Sequence, residues 1–187
     1  IFHTAMRHAV GPRKELGFRT IFNVLGPLAN PAGVERQVLG VFAPALTRTM
    51  AQVLLDLGAK HALVVHGAGG TDELSLAGAN LVCECREGKL REYTVTPGEV
   101  GLDEAPLEAL AGGDARQNAA ILRGVLGGEP GPRRDVVLFN TAAALIAADR
   151  AGDYRDGITL AAASIDSGSA RDRKSVVEGK SVDIRGG

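Results

Sequence analysis

Two adjacent carboxylates, Asp72 and Glu73, stand just beyond a glycine-rich run, Gly67-Ala68-Gly69-Gly70, which itself follows the apolar stretch from His61 to His66. Side-by-side carboxylates are hard oxygen donors suited to Mg²⁺, an ion that keeps several waters and is shared with substrate phosphates. On residue types alone, a solvated acidic turn is the simpler reading of the same pair. The pair does fall where ligands of open α/β sheets settle, beyond the carboxyl end of a strand, without displacing that simpler reading. The glycines match neither GxGxxG nor the Walker pattern, and no helix of useful length follows them. Their expected task is conformational: reaching positive φ and keeping the carboxylates close to a ligand. A second chemistry is anion recognition. The guanidinium of Arg13 can grip a carboxylate with two parallel hydrogen bonds, which lysine cannot do. Taken alone, Arg13 is one surface cation among Arg7, Lys14 and Arg19. His61 and His66 bracket an apolar stretch and read as structural, and His8 reads as an exposed helix residue.

The elements that must hold these groups can be read from periodicity. Ala5 to Leu16 has the pattern of a short helix that Gly11-Pro12 breaks or kinks. Arg19 to Pro31 is a turn-rich connector, and Val38 to Phe42 is a candidate strand. Leu46, Met50, Val53, Leu54 and Leu57 recur at helical spacing, with Gly58 placed to end that helix. His61 to His66 then forms a short strand. Strand, helix and strand with short joins imply a right-handed crossover between parallel strands buried on both faces. Leu81 to Arg86 and Leu90 to Thr96 alternate about Glu87-Gly88-Lys89 as a hairpin. The chain turns helical after Pro97. Asp114, with Gln117 three residues on, makes a capping box for a helix over Ala115 to Leu126. Val136 to Arg150 and Ile158 to Ser167 are the remaining helices. Leu54, Leu57, Val64, Val65, Val136, Val137, Leu138, Leu145 and Ile146 are the expected core. Phe139 and Asn140 carry no assigned function. The fold class is α/β.

Composition excludes several functions. The chain has 187 residues, enough for a packed core, with 45% hydrophobic and 23% charged residues and a net charge of −1. A near-neutral chain without a basic stripe is not built for nucleic acid. No apolar run reaches the roughly 18 residues a membrane-spanning helix needs. Cys83 and Cys85, two apart on an alternating strand, share a face and form neither a CxxC motif nor a zinc set, so they read as free thiols of a reducing cytoplasm. Ile1 in place of methionine, with no charged-then-apolar leader, reads as a cut end. The segment Asp172-Arg173-Lys174-Ser175-Val176-Val177-Glu178-Gly179-Lys180-Ser181-Val182-Asp183 continues no periodicity and resembles a translated sequencing adapter. Residues 172–187 are therefore expected to be non-native, although a genuine basic tail would read alike.

Arg19-Thr20-Ile21-Phe22-Asn23-Val24-Leu25-Gly26-Pro27-Leu28-Ala29-Asn30-Pro31, followed by His66-Gly67-Ala68-Gly69-Gly70-Thr71-Asp72-Glu73-Leu74-Ser75, resembles the C-terminal catalytic part of the anthranilate phosphoribosyltransferases. The resemblance runs from about Ile1 to about Ala170. It implies a nucleoside-phosphorylase-like α/β domain over residues 1–171, with helices on a mixed, largely parallel sheet. It also implies a reaction: the amine of anthranilate attacks C1 of phosphoribosyl pyrophosphate and pyrophosphate leaves, in tryptophan biosynthesis. Under that resemblance Asp72 and Glu73 hold Mg²⁺, Arg13 binds the carboxylate of anthranilate, and Gly26-Pro27 lines the acceptor tunnel. His3 falls at a substrate position, although His3-Thr4-Ala5-Met6 replaces the family's His-Pro-Ala-Met. No residue is nominated as an obligate general base.

The family's Gly-Thr-Gly-Gly-Asp loop and Lys-His-Gly-Asn segment, which bind the donor, do not occur in these 187 residues. The helical domain that forms the family's homodimer interface is likewise missing, so the chain by itself is expected to lack transferase activity. An anthranilate synthase component is a further partner the family implies. A pyrimidine nucleoside phosphorylase, an acceptor-variant phosphoribosyltransferase and a non-catalytic binding domain of the same fold are the competing readings.

Overall fold

The computed structural model of the chain describes Leu28 and residues 33–172. Four strands form one sheet in the order β1 (Arg36–Gly40), β2 (His61–His66), β3 (Asn80–Arg86) and β4 (Lys89–Val95). β1 and β2 are parallel, with helix α1 (Leu46–Asp56) between them, while β2–β3 and β3–β4 are antiparallel. The mixed sheet expected from the sequence is present, and its parallel character within the described residues is confined to the β1–β2 pair.

Alternation in β2 explains why the sheet is covered on both sides. Ala62 and Val64 face α1, where Met50, Ala51, Leu54, Cys83 and Cys85 complete one core. Leu63 and Val65 face the other way, toward Phe139, Ala142, Ala143 and Ile146 of helix α4 (Pro132–Ala147). Burying each valine, leucine, isoleucine, methionine or phenylalanine among them stabilises the fold by about 1.5–3 kcal/mol. Helix α5 (Tyr154–Asp166) backs α4, and the Phe139 and Tyr154 rings meet edge to face at 5.6 Å. Gly157 makes that approach possible, since a β-carbon there would stand 2.7 Å from Ala142 Cβ.

The core expectation needs two corrections. Leu57 and Val137 are exposed, at 64% and 39%. Leu57 follows the last turn of α1, where the helical face no longer meets the sheet, and Val137 lies off the buried stripe of α4. Both cysteines are buried, free and on one face, and burial raises both thiols above their ordinary range.

Helix α2 (Pro97–Val100) starts at the Thr96–Glu99 capping box, and α3 (Ala115–Leu126) starts at the expected Asp114–Gln117 box. A 3₁₀ turn, Leu107–Leu110, lies between them. Helix α4 begins four residues earlier than periodicity suggests, at Pro132, whose fixed φ suits a first helical position. The hairpin loop is shorter than expected. Glu87 and Gly88 alone turn it, at φ 51° and 76°, and Lys89 already pairs with Arg86.

Candidate metal and substrate site

Asp72 and Glu73 lie on the irregular segment between the carboxyl end of β2 and the start of β3. Because β1 and β2 are parallel, their carboxyl ends share an edge, and the segment rises from that edge. The ladder continues one step past β1, where Val41 N–H donates to the Val65 carbonyl at 2.9 Å. His66 Nδ1 then donates to the Val41 carbonyl at 2.8 Å, which fixes the departing chain and gives His66 the structural role expected of it.

The glycine-rich run closes a small loop. Gly67 N–H donates to the Thr71 carbonyl at 2.9 Å and Gly70 N–H to the Gly67 carbonyl at 3.1 Å. Gly69 and Gly70 have φ 82° and 85°, a conformation that costs other residues free energy. No helix follows before β3, so the loop is not a phosphate cradle of the dinucleotide or Walker kind.

Two close backbone approaches set the height of the carboxylates above the sheet. A β-carbon on Gly40, the last residue of β1, would stand 1.5 Å from the Asp72 carbonyl oxygen. One on Gly67 would stand 2.0 Å from the Glu73 carbonyl oxygen. The Thr71 hydroxyl donates to that same Glu73 carbonyl at 2.9 Å.

Beyond Glu73 the backbone is satisfied by two side-chain amides rather than by a strand. Asn140, midway along α4, accepts from Leu74 N–H at 2.9 Å and donates to the Leu74 carbonyl at 2.8 Å. Asn80, fully buried at the start of β3, accepts from Ser75 N–H at 2.7 Å and Ala68 N–H at 3.2 Å. Its amide donates to the carbonyls of Ser75, Gly78 and Val95 at 3.0, 3.0 and 3.1 Å. Buried backbone groups need such partners, because an unpaired one costs about 1–3 kcal/mol.

The carboxylates themselves contrast with this scaffold. Both side chains are exposed, and neither has a hydrogen-bond or ion-pair partner among the described residues. Two unpaired oxygen donors on a fixed backbone suit Mg²⁺, whose remaining positions are taken by water and substrate phosphate. They do not suit an ion that needs a full protein cage, since no group of three or more His, Cys, Asp or Glu able to hold a metal occurs among the described residues.

Of the six residues singled out in the sequence, Asp72 and Glu73 are brought together on this loop, whereas His3, Arg13, Gly26 and Pro27 lie outside the described residues. Sequence reasoning passed over Gly40, Asn80 and Asn140. Periodicity carries no sign of Gly40 or Asn80. Asn140 had one: a lone amide between Phe139 and the alanines of an otherwise apolar helix, which invites the question of what it bonds.

The family described as "Glycosyl transferase family, a/b domain" matches residues 1–171. An anthranilate phosphoribosyltransferase of Symbiobacterium thermophilum is 55% identical over 169 residues, covering 90% of this chain and 50% of that protein. The chain thus spans about half the length of the curated relatives it matches. Among solved structures, anthranilate phosphoribosyltransferase from Thermus thermophilus superposes with a TM-score of 0.83 at 49% identity, over 91% of this chain and 50% of that one. The Saccharomyces cerevisiae enzyme, solved in complex with PRPP and Mg, gives a TM-score of 0.81 at 33% identity over the same shares. The resemblance seen in the sequence motifs is thereby borne out, and no helix among the described residues is long and apolar enough to cross a membrane.

Proposed function

The chain belongs to the glycosyl transferase family, a/b domain, and from that premise we propose that the whole protein is an Mg²⁺-dependent anthranilate phosphoribosyltransferase of tryptophan biosynthesis. Its substrates would be phosphoribosyl pyrophosphate and anthranilate, and its products N-(5-phosphoribosyl)anthranilate and pyrophosphate. The observation that carries this reading is the exposed pair Asp72 and Glu73, without a side-chain partner among the described residues, held at the shared carboxyl edge of β1 and β2 in a chain 55% identical to such an enzyme.

In the reaction the anthranilate nitrogen forms a bond to ribose C1 as the bond from C1 to the pyrophosphate oxygen breaks. The nitrogen then gives up a proton to solvent. Aromatic amines are uncharged at neutral pH, so no strong base is required, and holding the two substrates in line supplies much of the acceleration. Bound at Asp72 and Glu73, Mg²⁺ would neutralise the charge that develops on the leaving pyrophosphate. On the acceptor side, Arg13 would bind the anthranilate carboxylate, with His3, Gly26 and Pro27 lining its approach. Donor phosphates would be gripped by segments of the whole protein other than these 187 residues. Residues 172–187 are, in this reading, a non-native tail. A homodimer, an anthranilate synthase component as partner and a cytoplasmic location complete the reading.

The test is to incubate the intact protein with anthranilate, phosphoribosyl pyrophosphate and Mg²⁺ and to quantify both products. Equal amounts of consumed anthranilate and released pyrophosphate are expected. Phosphate-dependent cleavage of a pyrimidine nucleoside, with anthranilate untouched, would make the protein a phosphorylase. Mg²⁺-dependent donor binding without any turnover would make it a binding protein.

A further inference from the structure

Leu74 and Ser75 follow the carboxylate pair directly, and every backbone polar group of the two is held by a side-chain amide. Leu74 N–H and carbonyl are paired with Asn140, and Ser75 N–H and carbonyl with Asn80. The two clamps differ in reach. Asn80 is five residues from Ser75, whereas Asn140 is 66 residues from Leu74 and on a different element. Among the described residues, the hydrogen bonds that tie the carboxylate loop to α4 are those of Asn140, beside the apolar packing of Leu74 in the core.

The orientation of that amide is fixed. The Asn140 Nδ2 that donates to the Leu74 carbonyl also donates to the Val136 carbonyl, one helical turn back, at 3.0 Å. Rotating the amide by half a turn would set an N–H against Leu74 N–H and leave two carbonyls facing an oxygen. On the other side of the pair, Gly67 grips Thr71, and the Thr71 hydroxyl bonds the Glu73 carbonyl. Asp72 and Glu73 thus span two fixed points, with their side chains unpaired among the described residues.

Resting on the reading of Asp72 and Glu73 as the metal-holding pair, we propose that Asn140 is a positioning residue for them. It touches neither metal nor substrate. Acting through Leu74, it fixes the backbone from which both carboxylates project, so the pair meets the ion without first being ordered. Groups that orient metal ligands in this indirect way typically cost about 10–100-fold in metal affinity or activity when removed.

The experiment uses Mn²⁺ as the probe for Mg²⁺. Free Mn²⁺ is titrated by electron paramagnetic resonance against the intact protein with phosphoribosyl pyrophosphate bound, so the readout is binding rather than turnover. Asn140→Leu, which keeps the branch at Cγ but is larger and unable to hydrogen-bond, is compared with Asp72→Asn. Phe139→Leu, next to it on α4 and confined to the core, controls for general loss of stability. Asp72→Asn and Asn140→Leu are each expected to weaken Mn²⁺ binding by about tenfold or more. Phe139→Leu is expected to lower the melting temperature with Mn²⁺ affinity unchanged.

Wild-type affinity in Asn140→Leu, alongside weakening in Asp72→Asn, would overturn the positioning role and leave the metal reading standing. Wild-type affinity in Asp72→Asn would overturn both. Equal weakening in Phe139→Leu would reduce the effect to stability and overturn the proposal. Should Asn140→Leu fail to fold, hydrogen exchange of the wild-type protein decides. The Leu74 amide is expected to exchange as slowly as the amides of α4, and exchange at the rate of an exposed loop would overturn the proposal.

Discussion

A β-carbon on Gly40 would stand 1.5 Å from the Asp72 carbonyl oxygen and 3.2 Å from its α-carbon, so Gly40→Ala has to push the carboxylate segment off the end of β1. Overpacking of this kind costs about 1–3 kcal/mol. Gly98→Ala is the matched control, because a β-carbon there meets nothing within 4 Å. Urea denaturation of the two variants is expected to show the loss at position 40 and a change within about 0.5 kcal/mol at position 98. Equal stabilities would mean that β1 and the loop do not touch as described. At this scale the sequence was half legible. Asp72 and Glu73 announce themselves by chemistry, as acidic oxygens after a glycine run. The residues that hold them do not, because Gly40 and Asn140 meet the loop 32 and 66 positions away in the chain.

Among the elements, α4 matters most to the account, since it carries Asn140 and covers one face of the sheet. It is anchored at its far end by a buried histidine. His61, 1% exposed at the start of β2, directs Nδ1 to Asp149 and Nε2 to Glu84, both at 2.9 Å. Arg36 of β1 pairs with the same Asp149 and donates to the Ala147 carbonyl at 3.2 Å, closing the end of α4 onto β1. Arg86 of β3 lies 3.6 Å from the Asp149 carboxylate.

The hydrogen bond from His61, followed by that from Arg36, holds the Asp149 carboxyl below its ordinary range against the opposing effect of burial. A carboxyl lowered in the folded state adds stability that is complete above the unfolded value, near pH 4, and is lost as pH falls through the folded value. Asp149→Asn is therefore expected to lower the melting temperature at pH 7 and to flatten its decline below about pH 4. Melting curves between pH 2 and pH 7 check this, and parallel declines in the two proteins would contradict it.

Most elements were legible because their signals are local. The Asp114–Gln117 box, the Pro97 start and the short apolar run from His61 to His66 each lie within a few residues of the structure they specify. Several boundaries were read less well: the first strand runs Arg36–Gly40 rather than Val38 to Phe42, and α5 starts at Tyr154 rather than Ile158. The hairpin turns in two residues instead of three, because Glu87 takes positive φ beside Gly88. Helix α4 opens at Pro132, before its apolar stripe becomes visible. Local pattern specifies an element more firmly than its end.

On the scale of the whole molecule, the sheet brings together what the chain separates. The parallel β1–β2 pair makes the edge, Gly40 and Gly67 set the loop upon it, and α4 fastens the loop from behind through Leu74. The cores on the two faces hold that arrangement together independently of any ligand. The strand, helix and strand order around a continuous apolar run made the two-sided sheet legible in advance, whereas the pairing of a helix amide with a loop backbone depends on tertiary contact that no periodicity encodes. Exposed Leu57 and Val137 make the same point in reverse: apolar residues at helical spacing are buried only where another element arrives to cover them.

The most direct test of the metal site at Asp72 and Glu73 is to diffuse Mn²⁺ and phosphoribosyl pyrophosphate into crystals of the intact protein and locate the ion by anomalous scattering. A peak is expected about 2.1 Å from a carboxylate oxygen of Asp72 or Glu73, with donor phosphate and water completing its shell. A donor-bound ion coordinated elsewhere, with both carboxylates out of reach, would contradict it.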